Sequence, residues 1–319
     1  MKKILVLGGT GFVGRHVCEK LVRLSYGVTV PTRRRENAKL VQHLPRLDVL
    51  EANIHDPAAL ARLVAGHDAV INLVAILHGD EAAFERSHVA LPKSLAAACV
   101  QAGVKRVVHV SALGAALDAP SMYQRSKARG EAALQAAGLD VTLLRPSVIF
   151  GADDKFLNMF AALQKVFPVM PLAGSATRFQ PVWVEDVAQA IVNSVSMNVQ
   201  NVPAIVEACG PDVFTLKELV QLAAHTAGIN HGQGRPVVAL PMALGRVQAA
   251  LMRLLPGEPM LSRDNLDSMQ VDNVASGKLP GLPALGVTPS ALAAIVPTYL
   301  GSRSVLGQHL VFRKTSGRF

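Results

Sequence analysis

The opening residues MKKILVLGGTGFVG run a short apolar segment, residues 4–7, straight into a glycine-spaced turn, and few folds accept that succession. Gly8, Gly11 and Gly14 are spaced GxxGxxG, and Gly9, Gly11 and Gly14 also satisfy GxGxxG. Glycine has no Cβ, so the backbone can reverse tightly and an anionic group can sit close against main-chain N–H groups. Val13, Val17 and Leu21 follow at helical spacing. The turn therefore opens a helix whose unpaired N–H groups and positive dipole end face the same point. Strand, turn and helix in this order describe a βα unit built to hold a diphosphate.

Strand and helix signals alternate through the first half. Residues 28–30, 47–51, 69–74, 106–111 and 141–145 read as further strands, and residues 36–44, 57–65, 82–102 and 121–137 as helices. Asp56-Pro57 supplies an N-cap followed by proline at the first helical position, and Pro92 marks a kink or break in the long helix over 82–102. Apolar strands alternating with helices predict an α/β fold, a Rossmann-type doubly wound parallel sheet. After Pro146 the rhythm changes. Helices are expected over 155–166, 186–196 and 215–227, the last opened by a Thr215–Glu218 capping box, with short strands at 204–207 and 236–240. Residues 241–255 are apolar with Arg246 and Arg253 interspersed. They form either an amphipathic surface helix, on a membrane or a partner, or a core helix whose arginines reach solvent. A Pro-Gly-rich loop at 279–289 leads to a last helix over 288–300. The expected organisation is a nucleotide-binding domain over 1–150, a smaller α+β region over 151–301 interwoven with it, and a basic, mobile tail over 302–319.

Composition narrows the classes. With 50% hydrophobic and 17% charged residues, a sizeable core is expected and wholesale disorder is excluded. The net charge of +9 suits an anionic cofactor, an anionic lipid surface or simply a basic soluble protein. Interleaved aromatic and basic residues of the kind that stack single-stranded bases are absent, so no nucleic acid partner is expected. Cys18, Cys99 and Cys209 lack CxxC spacing, and His16, His43, His67, His78 and His109 lack ligand spacing, so no metal site is expected and the cysteines read as core residues. The MKK start resembles the head of a signal peptide, but glycines interrupt the apolar run after four residues, and no apolar stretch approaches the ~20 residues that span a bilayer. A cytoplasmic protein is expected, with peripheral contact at the cytoplasmic face of the inner membrane left open.

Tyr123-Gln124-Arg125-Ser126-Lys127 sets a phenol and an ammonium four residues apart, on one helix face. A nearby cation stabilises phenolate and makes the hydroxyl a usable acid or base near neutrality. Together with the glycine turn, this chain resembles the short-chain dehydrogenase/reductase superfamily in its extended or atypical, epimerase/dehydratase-like branch, over residues 1 to about 230. Asn72-Leu73-Val74-Ala75, Arg145-Pro146-Ser147 and PVWVEDV at 181–187 extend the resemblance. Within that branch, RPSVIFGADDKFLNMF (145–160), QPVWVEDVAQAIVN (180–193) and LPMALGRVQAALMRLLP look similar to the family of the 39-kDa accessory subunit of respiratory complex I and its bacterial relatives.

The resemblance implies roles. Gly8, Thr10, Gly11, Phe12, Val13 and Gly14 would hold the pyrophosphate, Asn53 and Ile54 would lie at the adenine, and Val74 and Ala75 would line the riboses. Tyr123 would be the acid/base, Lys127 its partner, and Pro146 would flank the nicotinamide. Where an acidic residue would bind the NAD 2′-hydroxyl the chain has Arg33 and Arg34, which favours NADP(H) over NAD(H) because guanidinium pairs with phosphate. Two departures stand out. The serine of the Ser-Tyr-Lys triad has Leu113 or Gly114 in its extended-type place; Ser111, twelve residues before Tyr123, either substitutes for it or caps the strand end. Asn53 replaces a common aspartate and His88 a common asparagine. Of the remaining polar residues, Asp186 reads as a helix N-cap, Asp153 and Asp154 as servants of a helix dipole, and Arg178 as a contact for an anionic substrate or for Glu185. Three functions follow as expectations. They are an NADP(H)-dependent oxidoreductase acting on an unidentified carbonyl, alcohol or quinone-like small molecule, a non-catalytic nucleotide-binding subunit with a respiratory-complex partner, and a nucleotide-sugar epimerase or dehydratase.

Overall fold

The computed structural model describes residues 2–252 and 261–301. The chain divides into two compact units, one made of Met1–Pro146, Val184–Ala208 and Ala275–Thr288, the other of Ser147–Trp183, Cys209–Val274 and Pro289–Phe319. The first break falls at Pro146, where the sequence rhythm changes, and two later segments return to the first unit.

The first unit is a seven-stranded parallel sheet of β1 (Lys3–Leu7), β2 (Gly27–Thr32), β3 (Leu47–Glu51), β4 (Ala69–Asn72), β5 (Arg106–Val110), β6 (Asp140–Pro146) and β7 (Ile205–Ala208). Their order is β3-β2-β1-β4-β5-β6-β7. Ile4, Leu5, Val6 and Leu7 are all fully buried, as they must be in a sheet covered on both faces. Residues of α2 (Pro57–Val64), α4 (Leu91–Ala102) and α5 (Met122–Gln135) join Leu5, Leu7, Val70 and Val107 in one apolar cluster. Alternation turns Ile4 and Val6 to the opposite face. There α1 (Phe12–Arg23) packs against α6 (Val184–Ser196), and Lys20 Nζ meets Glu185 at 2.8 Å. Strand order reverses between β1 and β4, so the ligand crevice of such a sheet opens at the carboxyl ends of these strands.

Several elements differ from the sequence reading. Residues 36–44 make only a 3₁₀ turn at Arg35–Ala38 followed by hydrogen-bonded turns to Leu44, because Ala38 and Val41 alone bury there and offer too little apolar surface to hold a longer helix. The long helix expected over 82–102 is a composite: α3 (Glu81–Phe84), a π-helical segment Glu85–Ala90, then α4, with Pro92 in its first turn. The short strand expected at 204–207 is β7, the outer strand of the main sheet. Asp186 does not cap its helix but lies buried in the first turn, since α6 starts two residues earlier.

Among the described residues, the second unit is built from helices Leu157–Val166, Leu216–Thr226, Met242–Met252, Arg263–Ser268 and Leu292–Leu300 with three short strand pairs. Phe150, Leu157, Phe160, Leu172, Leu219 and Val296 belong to its main cluster. The Thr215–Glu218 capping box forms as expected. Asp154 accepts hydrogen bonds from the amides of Gly151, Phe156 and Asn158 and from the Tyr299 hydroxyl, so it organises the turn before the first of these helices. Helix Met242–Met252 packs Ala249 against Ala173 and Leu266 while Leu244 and Val247 are exposed, and Arg246 pairs with Asp267. The Arg178 side chain bonds Asp272, with Nε to Oδ2 at 2.8 Å, and Glu185 is taken instead by His16 and Lys20. The tail at 302–319, with Arg303, Arg313, Lys314 and Arg318, and Arg253 with it, lies outside the described residues. Among the described residues no helix is long and apolar enough to cross a membrane.

Candidate functional site

At the end of β1 the chain reverses through Gly8, whose φ of +82° favours glycine, and the Gly11 amide bonds the Gly8 carbonyl at 3.0 Å. A Cβ on Gly14 would overlap that same carbonyl oxygen and the Gly9 backbone, so only glycine lets α1 settle this close to the turn. Gly11 is the N-cap residue of α1 and offers no capping side chain, and no acidic residue stands in the first turn. The positive end of α1 is thus left for a ligand anion. Thr10, Phe12 and Val13 are half-buried around it.

The neighbouring strand ends hold the other expected binding residues. Arg33 and Arg34 are exposed just beyond β2, where Thr32 Oγ1 donates to the Arg34 carbonyl at 3.0 Å and shapes the turn. Asn53 Oδ1 accepts the His55 amide beyond β3, with Ile54 half-buried between them. Burial, then the Arg86 and Arg33 guanidiniums, hold the His55 imidazole below its usual pKa. A basic cluster of Arg33, His55 and Arg86 therefore stands at the β2–β3 end. The sequence reading missed His55 and Arg86, because Arg86 arrives on the π-helical segment and no local spacing announces it. Beyond β4, Val74 is half-buried with its amide on Asn72 Oδ1, and Ala75 is exposed.

Tyr123 and Lys127 lie one turn apart on α5, whose N-terminus is capped by Ser121. Lys127 is 1% exposed, and its Nζ donates to the Val110 carbonyl at 2.7 Å. Burial pulls its pKa down to about 8 against the opposing pull of Glu131. Glu131 is also buried and takes both edges of the Arg145 guanidinium, with Nε to Oε1 at 2.9 Å. The Tyr123 ring is half-buried against His88 and Phe84, at centroid distances of 5.4 and 6.2 Å. Pro146 is buried at the end of β6, its carbonyl accepting the Leu113 amide.

The triad position carries no hydroxyl. Leu113 is buried, and Gly114 has φ +77° with the Gln124 amide nitrogen where a Cβ would stand. Ser111, by contrast, is 4% exposed at the end of β5, and its Oγ has no protein hydrogen-bond partner. His109, two residues earlier on the same strand face, receives the Asn72 amide on Nδ1 at 3.1 Å and leaves buried Nε2 equally unmatched. Buried polar atoms are nearly always paired, so an orphaned hydroxyl one residue beyond the carbonyl that Lys127 holds fits a group that arrives with a ligand. Turn, basic strand ends and orphaned hydroxyl together match the parts of a dinucleotide: diphosphate, adenosine end and nicotinamide end.

Comparison with known proteins agrees. Residues 8–198 match a family model described as NAD(P)H-binding. The chain is 34% identical, over 97% of its own length and 80% of the relative's, to NADH dehydrogenase [ubiquinone] 1 alpha subcomplex subunit 9, mitochondrial, of Mus musculus. It is 28% identical, over 70% of each chain, to a ceramide reductase of Caulobacter vibrioides. A dTDP-glucose 4,6-dehydratase from Streptomyces venezuelae solved with NAD bound superposes with a TM-score of 0.71 at 23% identity, covering 93% of this chain and 95% of the other. The chain therefore belongs to the NAD(P)H-binding Rossmann family, in the extended short-chain dehydrogenase-like branch that includes the complex I subunit relatives.

Proposed function

We propose that this protein is an NADP(H)-dependent oxidoreductase of the short-chain type, in which Tyr123 carries the proton and Lys127 assists it. The observation that carries the reading is a fully buried ammonium one helical turn from Tyr123, on a sheet with a complete diphosphate turn. A bound nicotinamide supplies or accepts the hydride. The Tyr123 hydroxyl gives its proton to the carbonyl oxygen during reduction, and takes it back from the alcohol in the reverse direction. Lys127, unscreened by water, favours the phenolate that this leaves. Ser111 Oγ is the hydroxyl available to steady the same oxygen. Arg33 and Arg34, with His55 and Arg86 nearby, favour a 2′-phosphate and hence NADP(H).

A second reading has its own support. Leu113 and Gly114 leave the extended-type serine position without a hydroxyl, the relatives include a mitochondrial NADH dehydrogenase subunit, and helix Met242–Met252 exposes Leu244 and Val247. In that reading the nucleotide stabilises the fold by mass action on the native state, and the protein serves a respiratory assembly at the cytoplasmic membrane face. Mass spectrometry of nucleotide released from the purified protein tests the cofactor, with NADP(H) expected and NAD(H) counting against the arginine argument. NADPH turnover on a carbonyl and quinone panel separates the two readings. Tyr123→Phe is expected to cut the rate by at least about a hundredfold while leaving NADPH bound. Equal rates in both proteins remove Tyr123 from the chemistry, and no turnover together with co-purifying respiratory subunits favours the second reading.

A further inference from the structure

We infer that His88 is a positioning residue that sets the seat of Tyr123 through Ser126 and the Tyr123 main chain. This rests on the reading that Tyr123 faces the nicotinamide half of the cofactor.

The hydrogen-bond directions are fixed by chemistry. The Ile76 amide can only donate, so His88 Nε2, 3.1 Å away, accepts. The imidazole proton is then on Nδ1, which donates to Ser126 Oγ at 2.8 Å. Ser126 Oγ in turn donates to the Tyr123 carbonyl at 2.7 Å. Each donor has one acceptor, and the run joins the loop after β4 to the first turn of α5. It works only with neutral imidazole, since a second ring proton would confront the Ile76 N–H. Burial, with the Lys127 ammonium behind it, keeps His88 neutral by pushing its pKa down to about 3. His109 on β5 also faces this pocket and is itself held neutral.

The ring makes the second contact. His88 meets Tyr123 edge-on, with an interplanar angle of 81°, and Phe84 lies against both rings, tilted by 35° to the imidazole at 5.5 Å. Phenol and imidazole are thus held from two sides, ring against ring and carbonyl through Ser126.

The backbone is arranged to bring His88 here. Pro92 has no N–H, so the His88 carbonyl four residues before it has no α-helical donor. The chain widens into the π-helical segment at this point. A π turn uses the amide five residues on and shifts the side chains around the axis. Gly130 of α5 sits against that carbonyl so closely that a Cβ would overlap it. The helix pair is closed where the imidazole enters.

A ligand split tests the role. NADPH uses both ends of the site, whereas adenosine 2′,5′-bisphosphate uses only the adenosine end. His88→Ala is expected to weaken NADPH about tenfold and to change adenosine bisphosphate by less than about twofold. His88→Asn, whose amide can accept from Ile76 and donate to Ser126, should restore most of the NADPH affinity. Ser126→Ala, a mild change that keeps the packing if the alanine at 88 does not fold, should move NADPH in the same direction. Nitrogen-15 NMR of the ligand-free wild type should find His88 as the neutral Nδ1–H tautomer. Equal weakening of both ligands, no weakening of NADPH, or an Nε2–H tautomer overturns the positioning role while leaving the cofactor reading standing. Wild-type protein that binds neither ligand overturns the cofactor reading, and the role of His88 with it.

Discussion

Lys127 and Glu131 show how one residue's chemistry depends on a partner that local sequence does not announce. The pair Tyr123/Lys127 was legible because a helix puts i and i+4 on one face. Glu131, a further turn on, was not singled out, because its importance comes from Arg145 on β6. That guanidinium holds both carboxylate oxygens in the interior and fixes the charge that supports the buried ammonium. Replacing Glu131 by Gln keeps the shape and removes the charge. Arg145 then keeps only the weaker pull of buried Glu207, and the broken buried pair costs about 3 kcal/mol. Lys127 simultaneously loses the carboxylate that holds its pKa up, so that pKa falls below about 8. Urea unfolding of Glu131→Gln should show the lower stability with an unchanged m-value. NADPH affinity in that variant should decline as pH rises through neutrality, at a lower pH than in wild type, if the ammonium contributes to binding.

Between the strands, most of the fold could be read from period and turn chemistry. The apolar strands alternate with helices from β1 to β6, and the glycine turn, the Asp56 and Ser121 caps and the Thr215 capping box all stand where these residue types are favoured. What escaped is instructive about elements. Pro92 announced an irregularity, but a proline says only that a donor is missing. Whether the helix kinks, stops or widens depends on what packs against the freed carbonyl. Here α5 supplies Gly130, and the helix widens into a π turn that carries Arg86 to the basic cluster and His88 to Tyr123. Gly130→Ala is therefore expected to destabilise the protein by about 2 kcal/mol, because the methyl meets backbone that cannot step aside. The same change should weaken NADPH more than adenosine bisphosphate, since it displaces α5 from the π segment and leaves the glycine turn alone. Paired denaturation and ligand titrations check both statements.

At the scale of the whole molecule, the sequence rhythm located the change after Pro146 but could not say that 184–208 and 275–288 return to the first unit. Strand pairing at a distance leaves no local trace: β7 joins the sheet by lying beside β6, and its four residues alone look like any short strand. Stability is a property of this scale too, and the buried neutral histidines give it a direction. His88 is held near about 3 and His109 well below its ordinary value, so in the acid range the unfolded chain binds protons that the folded chain refuses. Stability from each group is complete above the unfolded value of about 6.5 and is lost as pH falls toward the folded one. For His88 the loss between about pH 7 and about pH 5 is about 2 kcal/mol, and His109 adds to it. Glu185, pulled down to about 2 chiefly by its bond to His16, adds stability that is complete above its ordinary value of 4.5 and is lost as pH falls from there toward the folded one. Lys127 works on the other side: its folded pKa of about 8 lies under the unfolded 10.5, so stability rises as pH climbs between them. A chain already carrying +9 with its histidines neutral thus faces its weak side in mild acid. Urea midpoints of wild type should fall between about pH 7 and about pH 5, and His88→Asn, which keeps the hydrogen bonds without the titration, should flatten that fall by about 2 kcal/mol. An equally steep fall in the variant would mean that His88 ionises in the folded protein as readily as in the unfolded one.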